Sequence, residues 1–379
     1  MQYKNRNLFR LSRFILLKFP VFFKVLSKFR SDQKCLLIIK TDAIGDYILF
    51  RNYLELLKKS KRFKHYRITL LGNKLWEELA LKYDSEFADD FIFVDPEKLY
   101  YAPLTLLKLG WQLFKNNYEI VLQPSYTRLL ITDGLAALTA SKEIIGFEGD
   151  NEGIPPRYKT RTDKFYTQKL ILPSDISFEF ERSGFFFQEI LDCEISLPYP
   201  SLPFNKMQPT GIVIFPGAGN LKRSWDAEKF KTLIGLIKQH TSQSVYLAGS
   251  VGEIYLGQYL TESLPANSVI NLIGKTSLIQ LIDIIGNASL VIANETSAIH
   301  IAAATQTKSI CILGGGHFGR FAPYPEQFIH KPLCLYQKLD CYYCNWNCRF
   351  LTGENEPHPC VANVDAATVW TSARKLILQ

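Results

Sequence analysis

The sequence predicts an α/β protein of two halves, each a parallel sheet wrapped by helices. Short apolar runs of strand length alternate with longer amphipathic stretches of helical period. That alternation is broken once by a proline-rich segment and then restarts. At 379 residues and 47% hydrophobic, the chain is also longer than one ordinary core accommodates.

The first thirty residues hold eight Lys or Arg and no Asp or Glu, so the net charge of +8 is local. In "FRLSRFILLKFPVFFKVLSKFR", Phe9 to Arg30, bulky apolar residues alternate with basic ones. This suits a basic amphipathic arm on the inner face of an anionic membrane; a terminal arm packed on the protein or disordered is the alternative. Lys18 and Lys24 interrupt the apolar part and no small-residue cleavage site follows, which argues against a signal peptide. No apolar run approaches the roughly 18 to 20 residues of a membrane span. Charge held in one apolar-faced arm instead of a groove also argues against nucleic acid.

Strands are expected at 35–40 ("CLLIIK"), 67–72, 90–95, 119–124 and 143–147, followed by a long polar loop from Glu148 to about Asp163 and a helix over 177–191. The segment 196–211, "SLPYPSLPFNKMQPTG", holds four prolines and reads as a linker. Strands resume at 211–216, 244–249, 268–274, 290–295 and 308–315, with helices at 226–240, 251–262, 276–286 and 296–305. The expected organisation is an arm (1–30), a first domain (31–195), a linker (196–210) and a second domain (211–379), with a cleft between the carboxyl ends of the two sheets.

Candidate chemistry gathers at strand ends. "IIKTDAIGD" runs from the first strand into a loop and a helix expected from about Tyr47 to Lys59. Gly45 would let the backbone turn tightly or approach a ligand. Asp46 would lie at or near the helix N-terminus, as a site carboxylate or a plain cap. Asp42 reads as a turn former. After the strand at 211–216, "GAGNLKRSWDAEKF" offers Gly217, Lys222 and Arg223 before a helix capped by Asp226, a set suited to a diphosphate. "VIANETSAIHIAAAT" places Asn294, Glu295, Thr296 and Ser297 where a strand meets a helix, with His300 one turn on; a lone helical His is more often a hydrogen-bonded core residue. The next strand ends in "GGGHFGRF", another backbone-accessible loop, carrying His317 and Arg320.

Taken in order and spacing, "LLIIKTDAIGDYILF", "FPGAGNLKRSWDAEKF" and "VIANETSAIHIAAATQTKSICILGGG" resemble glycosyltransferase family 9, the heptosyltransferase-like enzymes. The resemblance implies the GT-B fold, two Rossmann-like domains facing across a cleft. It implies inverting sugar transfer from a nucleotide-sugar donor, typically ADP-heptose, to a glycolipid or glycan acceptor, with no metal or other cofactor needed for catalysis. It makes Asp46 the general base, Arg223 with Lys222 the donor-phosphate contacts, and Glu253 the ribose contact. Asn294, Glu295, Thr296 and Ser297 fall on the N-D-T-G motif, with His300 retained. Glu295 stands for Asp, Ser297 for Gly and Asn52 for the usual Pro, which bears on donor choice. The same architecture serves epimerases and phosphorylases, and a non-catalytic nucleotide-sugar-binding protein on a membrane is the remaining alternative.

Near the end, Cys341, Cys344, Cys348 and Cys360 have C-x2-C-x3-C-x11-C spacing, which can hold a structural zinc ion; free or disulfide-forming thiols are the alternative. Four further cysteines are scattered singly, as in a cytoplasmic protein.

Overall fold

The structure is a computed structural model and describes residues 5–378 apart from 32, 196, 198, 263, 266 and 267. The chain divides into two compact units, Met1–Ile176 with Phe180–Ser196, and Ser177–Glu179 with Leu197–Gln379.

In the first unit, β1 (Cys35–Lys40), β2 (Arg67–Asn73), β3 (Asp90–Val94), β4 (Ile120–Gln123), β5 (Glu143–Phe147) and β6 (Gln168–Leu170) form one sheet in the order β3-β2-β1-β4-β5-β6. All five pairings are parallel, with Leu36 of β1 level with Ile68 on one side and Ile120 on the other. Helices cover both faces of such a sheet, so its central strand must be apolar throughout. Leu36, Leu37, Ile38 and Ile39 are accordingly all inaccessible to solvent.

The basic arm is a helix, Arg6–Leu26, capped by the Asn5 side chain. Its Ile15, Leu16 and Phe23 are buried on helices Pro103–Lys115 and Leu130–Leu138. Gly134 permits that approach, since a Cβ there would lie 2.4 Å from Leu16 Cδ2. The opposite stripe, including Phe14, Val21, Phe22 and Val25, is more than half exposed.

The expected long loop after β5 contains a helix, Pro156–Thr162. Its sequence, "PRYKTRT", lacks an apolar period, and long-range partners hold it instead. Arg128, fully buried, donates to Asp133 at 2.7 Å and to Asp163 at 2.7 Å, while Tyr166 donates to Asp133 at 2.6 Å.

In the second unit, β7 (Ile212–Phe215), β8 (Val245–Leu247), β9 (Val269–Asn271), β10 (Leu290–Asn294), β11 (Ser309–Ile312) and β12 (Leu333–Leu335) form a second all-parallel sheet in the order β12-β11-β10-β7-β8-β9. Helix Ala366–Leu378 returns to pack Val369 and Trp370 into this core beside helix Ala227–His240.

Strand order reverses between β1 and β4 in one sheet and between β7 and β10 in the other. In open parallel sheets ligands bind outside the carboxyl ends of the strands at such a reversal. Among the described residues, no helix is long and apolar enough to cross a membrane.

Candidate functional site

In the first unit the loop after β1 lies at the reversal, and Asp46 with it. The helix expected to start near Tyr47 instead starts at Ile44, ends at Ile48, and is followed by a second helix, Asn52–Lys59. Asp46 is therefore a first-turn residue and not the cap. Gly45 is helical and adopts no left-handed turn.

Long-range contacts set this arrangement. Tyr47 stacks on Trp76 at 3.8 Å and donates to Asp84 at 2.8 Å. Arg51 binds Asp84 through Nε and Nη2 at 3.1 and 2.6 Å. Trp76 Nε1 in turn donates to the Asp42 carbonyl at 3.0 Å. Asp42 is more than the expected turn former: its carboxylate lies 2.7 Å from the buried Lys40 Nζ and accepts from Ser125 Oγ at 2.5 Å. Ser125 follows β4, so this pair ties together the two strands that flank the reversal.

In the second unit the loops after β7 and β10 are joined by one side chain. Asn294 Nδ2 donates to the carbonyls of Pro216 (2.7 Å) and Gly217 (3.2 Å), and its Oδ1 accepts from Trp225 N at 2.9 Å. Gly217 lies against the Glu253 carboxylate, 1.6 Å from where its Cβ would be. Glu253 itself caps Ser250, accepting from its N and Oγ at 2.7 and 2.9 Å. Lys222 and Arg223 lie in a short 3-10 turn, Leu221–Arg223, that Asn220 opens.

Thr296 caps helix Ser297–Ala304, its Oγ1 accepting from Ala298 N at 3.4 Å and its carbonyl from Ile299 N at 3.3 Å. Beside it Glu295 is 8% exposed, and neither carboxylate oxygen has a hydrogen-bond partner. Burial pushes its carboxyl up to about 7, against an opposing pull from Arg223. His300 is buried with Nδ1 2.8 Å from the Tyr324 hydroxyl, and burial lowers it to about 3, so it is neutral. Arg320 is paired with the buried Glu179 at 3.1 Å.

The four late cysteines, Cys341, Cys344, Cys348 and Cys360, line one small cavity with Gly315, Trp346 and His358. All four are free thiols. Among the described residues, no group of three or more His, Cys, Asp or Glu could hold a metal ion as arranged. Burial and the neighbouring thiols push the Cys360 thiol up.

Ser125 and Asp84 were outside the sequence reading. Their only signal is three-dimensional, because each is a polar residue whose partners lie tens of residues away.

A family model described as glycosyltransferase family 9 (heptosyltransferase) matches residues 106–342. Over 129 residues the chain is 29% identical to lipopolysaccharide heptosyltransferase 3 of Escherichia coli (strain K12), a stretch of 34% of this chain and 38% of that protein. Among solved structures, the family 9 glycosyl transferase from Veillonella parvula superposes with a TM-score of 0.69 at 16% identity, covering 92% of this chain and 98% of that one. The E. coli heptosyltransferase WaaC with ADP-2-deoxy-2-fluoro heptose gives 0.63 at 17% identity, covering 90% and 99%. The two parallel sheets and these neighbours establish the GT-B fold with its two Rossmann-like domains.

Glu295 should leave a pH signature. Its folded-state value of about 7 lies above the unfolded 4.5, so stability from the neutral carboxyl is complete below pH 4.5 and is lost as pH rises through 7. The difference is on the order of 3 kcal/mol. Melting temperatures of wild type and Glu295→Gln from pH 4.5 to 8 should diverge, with the variant the more stable at pH 8. Parallel curves would show that Glu295 ionises as it does in water.

Proposed function

The chain belongs to glycosyltransferase family 9, the heptosyltransferases, and from that premise we propose that it moves heptose with inversion from ADP-heptose to a lipopolysaccharide-type glycan acceptor. The observation that carries this reading is that the segments resembling the family's motifs around Asp46, Lys222 with Arg223, and Asn294 to Ser297 follow β1, β7 and β10, strands that flank the reversals of the two sheets. The ADP-sugar analogue bound by the E. coli relative supports the choice of donor.

On this reading residues 31–195 bind the acceptor and 211–379 the donor. Asp46 takes the proton of the acceptor hydroxyl as its oxygen bonds to the anomeric carbon. The bond from that carbon to the diphosphate breaks, and ADP leaves with the electron pair. Lys222, Arg223 and the N–H groups at Thr296 and Ser297 meet the charge that develops there. Gly217 allows the backbone to approach the nucleotide, and Glu253 takes the ribose. Asn294 holds the loops, Glu295 lies beside the phosphates, and His300 supports the helix from behind. No step needs a metal.

A glycolipid acceptor fits a peripheral place on an anionic cytoplasmic membrane. Support comes from the exposed stripe Phe14, Val21, Phe22 and Val25 with Arg10, Lys18 and Lys24 around it, and from exposed Leu104, Lys108, Trp111 and Lys115 on the neighbouring helix. Apolar residues interleaved with cations match the boundary of an anionic bilayer. All four cysteine thiols line one cavity, which supports a structural zinc site against the alternative of free or disulfide-forming thiols, although no group among the described residues could hold a metal ion as arranged. Zinc would have to draw them together, and it serves no step of transfer.

Asp46→Asn should lower the rate of ADP release with heptose transfer by about 10² to 10⁴-fold, with ADP affinity and melting temperature unchanged. A folded variant that transfers at the wild-type rate requires another base. Phe22→Glu with Val25→Glu, both at exposed positions, should abolish sedimentation with phosphatidylserine vesicles without lowering the melting temperature; binding equal to wild type removes the membrane reading. Elemental analysis should find about one zinc per chain, and a metal-free protein of full activity and stability would remove that reading.

A further inference from the structure

Nothing in the cysteine spacing ties residues 341–360 to the donor loops, yet the structure packs them directly against those loops. The guanidinium of Arg223 lies 4.4 Å above the ring of Trp346. Trp346 Nε1 donates to His317 Nδ1 at 3.3 Å, and its ring is stacked with that of His358. His358 N donates to the Lys222 carbonyl at 2.8 Å, and Lys222 Nζ reaches Thr352 Oγ1 at 3.4 Å. Both basic residues proposed to meet the diphosphate are therefore held by this one segment.

The glycines after β11 belong to the same arrangement. A Cβ at Gly314 or Gly316 would lie 2.6 or 2.3 Å from the Trp346 ring, and one at Gly315 would lie 2.4 Å from Tyr342. "GGGH" is thus bare to admit these rings, which accounts for three glycines otherwise assigned to ligand access. Tyr343 N and Asn345 N donate to the Gly315 and Gly316 carbonyls at 2.8 and 2.9 Å. Tyr343, Asn345 and Trp346 all have left-handed backbones, with φ of 67°, 49° and 61°. Side chains disfavour that region, and such strain persists where the surroundings over-determine it, typically at ligand clamps.

Arg223 gives the reason for the clamp. Its Nε is buried without a hydrogen-bond partner, so it is the aromatic face of Trp346 that orients the guanidinium. A flat indole does this while leaving the in-plane N–H groups for an anion.

We infer that Trp346 is a positioning residue of the donor site, acting through Arg223 to present its charge to a nucleoside diphosphate. This rests on the reading of Arg223 as a diphosphate contact. The test is ADP affinity by titration calorimetry on the full chain, for Arg223→Ala, Trp346→Leu, Trp346→Phe and the Arg223→Ala/Trp346→Leu double variant, with the melting temperature of each. Arg223→Ala and Trp346→Leu should each weaken ADP roughly tenfold, and the double variant should be no weaker than Arg223→Ala alone. Trp346→Phe keeps a ring face and should bind within about threefold of wild type, which serves as the check if the Leu variant folds poorly. Losses that multiply in the double variant, or a Phe variant as weak as Arg223→Ala, would overturn the inference. Unchanged ADP affinity in Arg223→Ala would instead overturn the assignment of Arg223 itself.

Discussion

The amide of Asn294 is the interaction on which the second unit's site depends. It is fully buried, and from the end of β10 it spans the reversal of strand order to the segment after β7, donating to Pro216 and Gly217 and accepting from Trp225 N. A buried amide with both ends used fixes its neighbours in one geometry, because breaking either bond leaves an unpaired polar group. The turn bearing Lys222 and Arg223 lies between the two points that Asn294 fastens, so the position of its charges follows from that amide. Asp at this position would lose the donors, and Leu would leave two carbonyls and an N–H without partners.

The strands were legible because a sheet covered on both faces demands uninterrupted apolar residues at its centre, as in "CLLIIK" and "GIVIF". β6 and β12 were hidden for the complementary reason: each is a three-residue edge strand, and Gln168 and Lys169 carry no apolar signal. Asp46 could be found as a motif, but the early start of its helix could not. That start depends on Tyr47, Arg51, Trp76 and Asp84, which converge only in the fold. The same holds for Asp42, read as a turn former because Lys40 looked like the end of a strand and Ser125 was far off in the chain. Trp346 was invisible as a site residue, since the cysteines around it drew the reading toward metal.

Glu295 shows a local rule broken at a position proposed for the donor site. A carboxylate with both oxygens buried and unpartnered costs stability, and the family pattern has the shorter Asp there. The additional methylene lengthens an acid side chain that feels the charge of Arg223. Arg128 and Asp133 are buried and paired with each other, whereas Glu295 is buried with both oxygens open beside the proposed donor site.

The N-terminal helix has a consequence for the order of folding. Its inner residues Ile15, Leu16 and Phe23 find their partners on helices Pro103–Lys115 and Leu130–Leu138, which are synthesised long after it. The contact between Leu16 and Gly134 closes a loop that encloses the first four strands, and closing a long loop precedes any reward from the contacts it allows. The helix Arg6–Leu26 is therefore settled only once the central sheet exists. A nascent chain carries this segment with both apolar stripes open, and completion of helix 130–138 decides which of them turns inward.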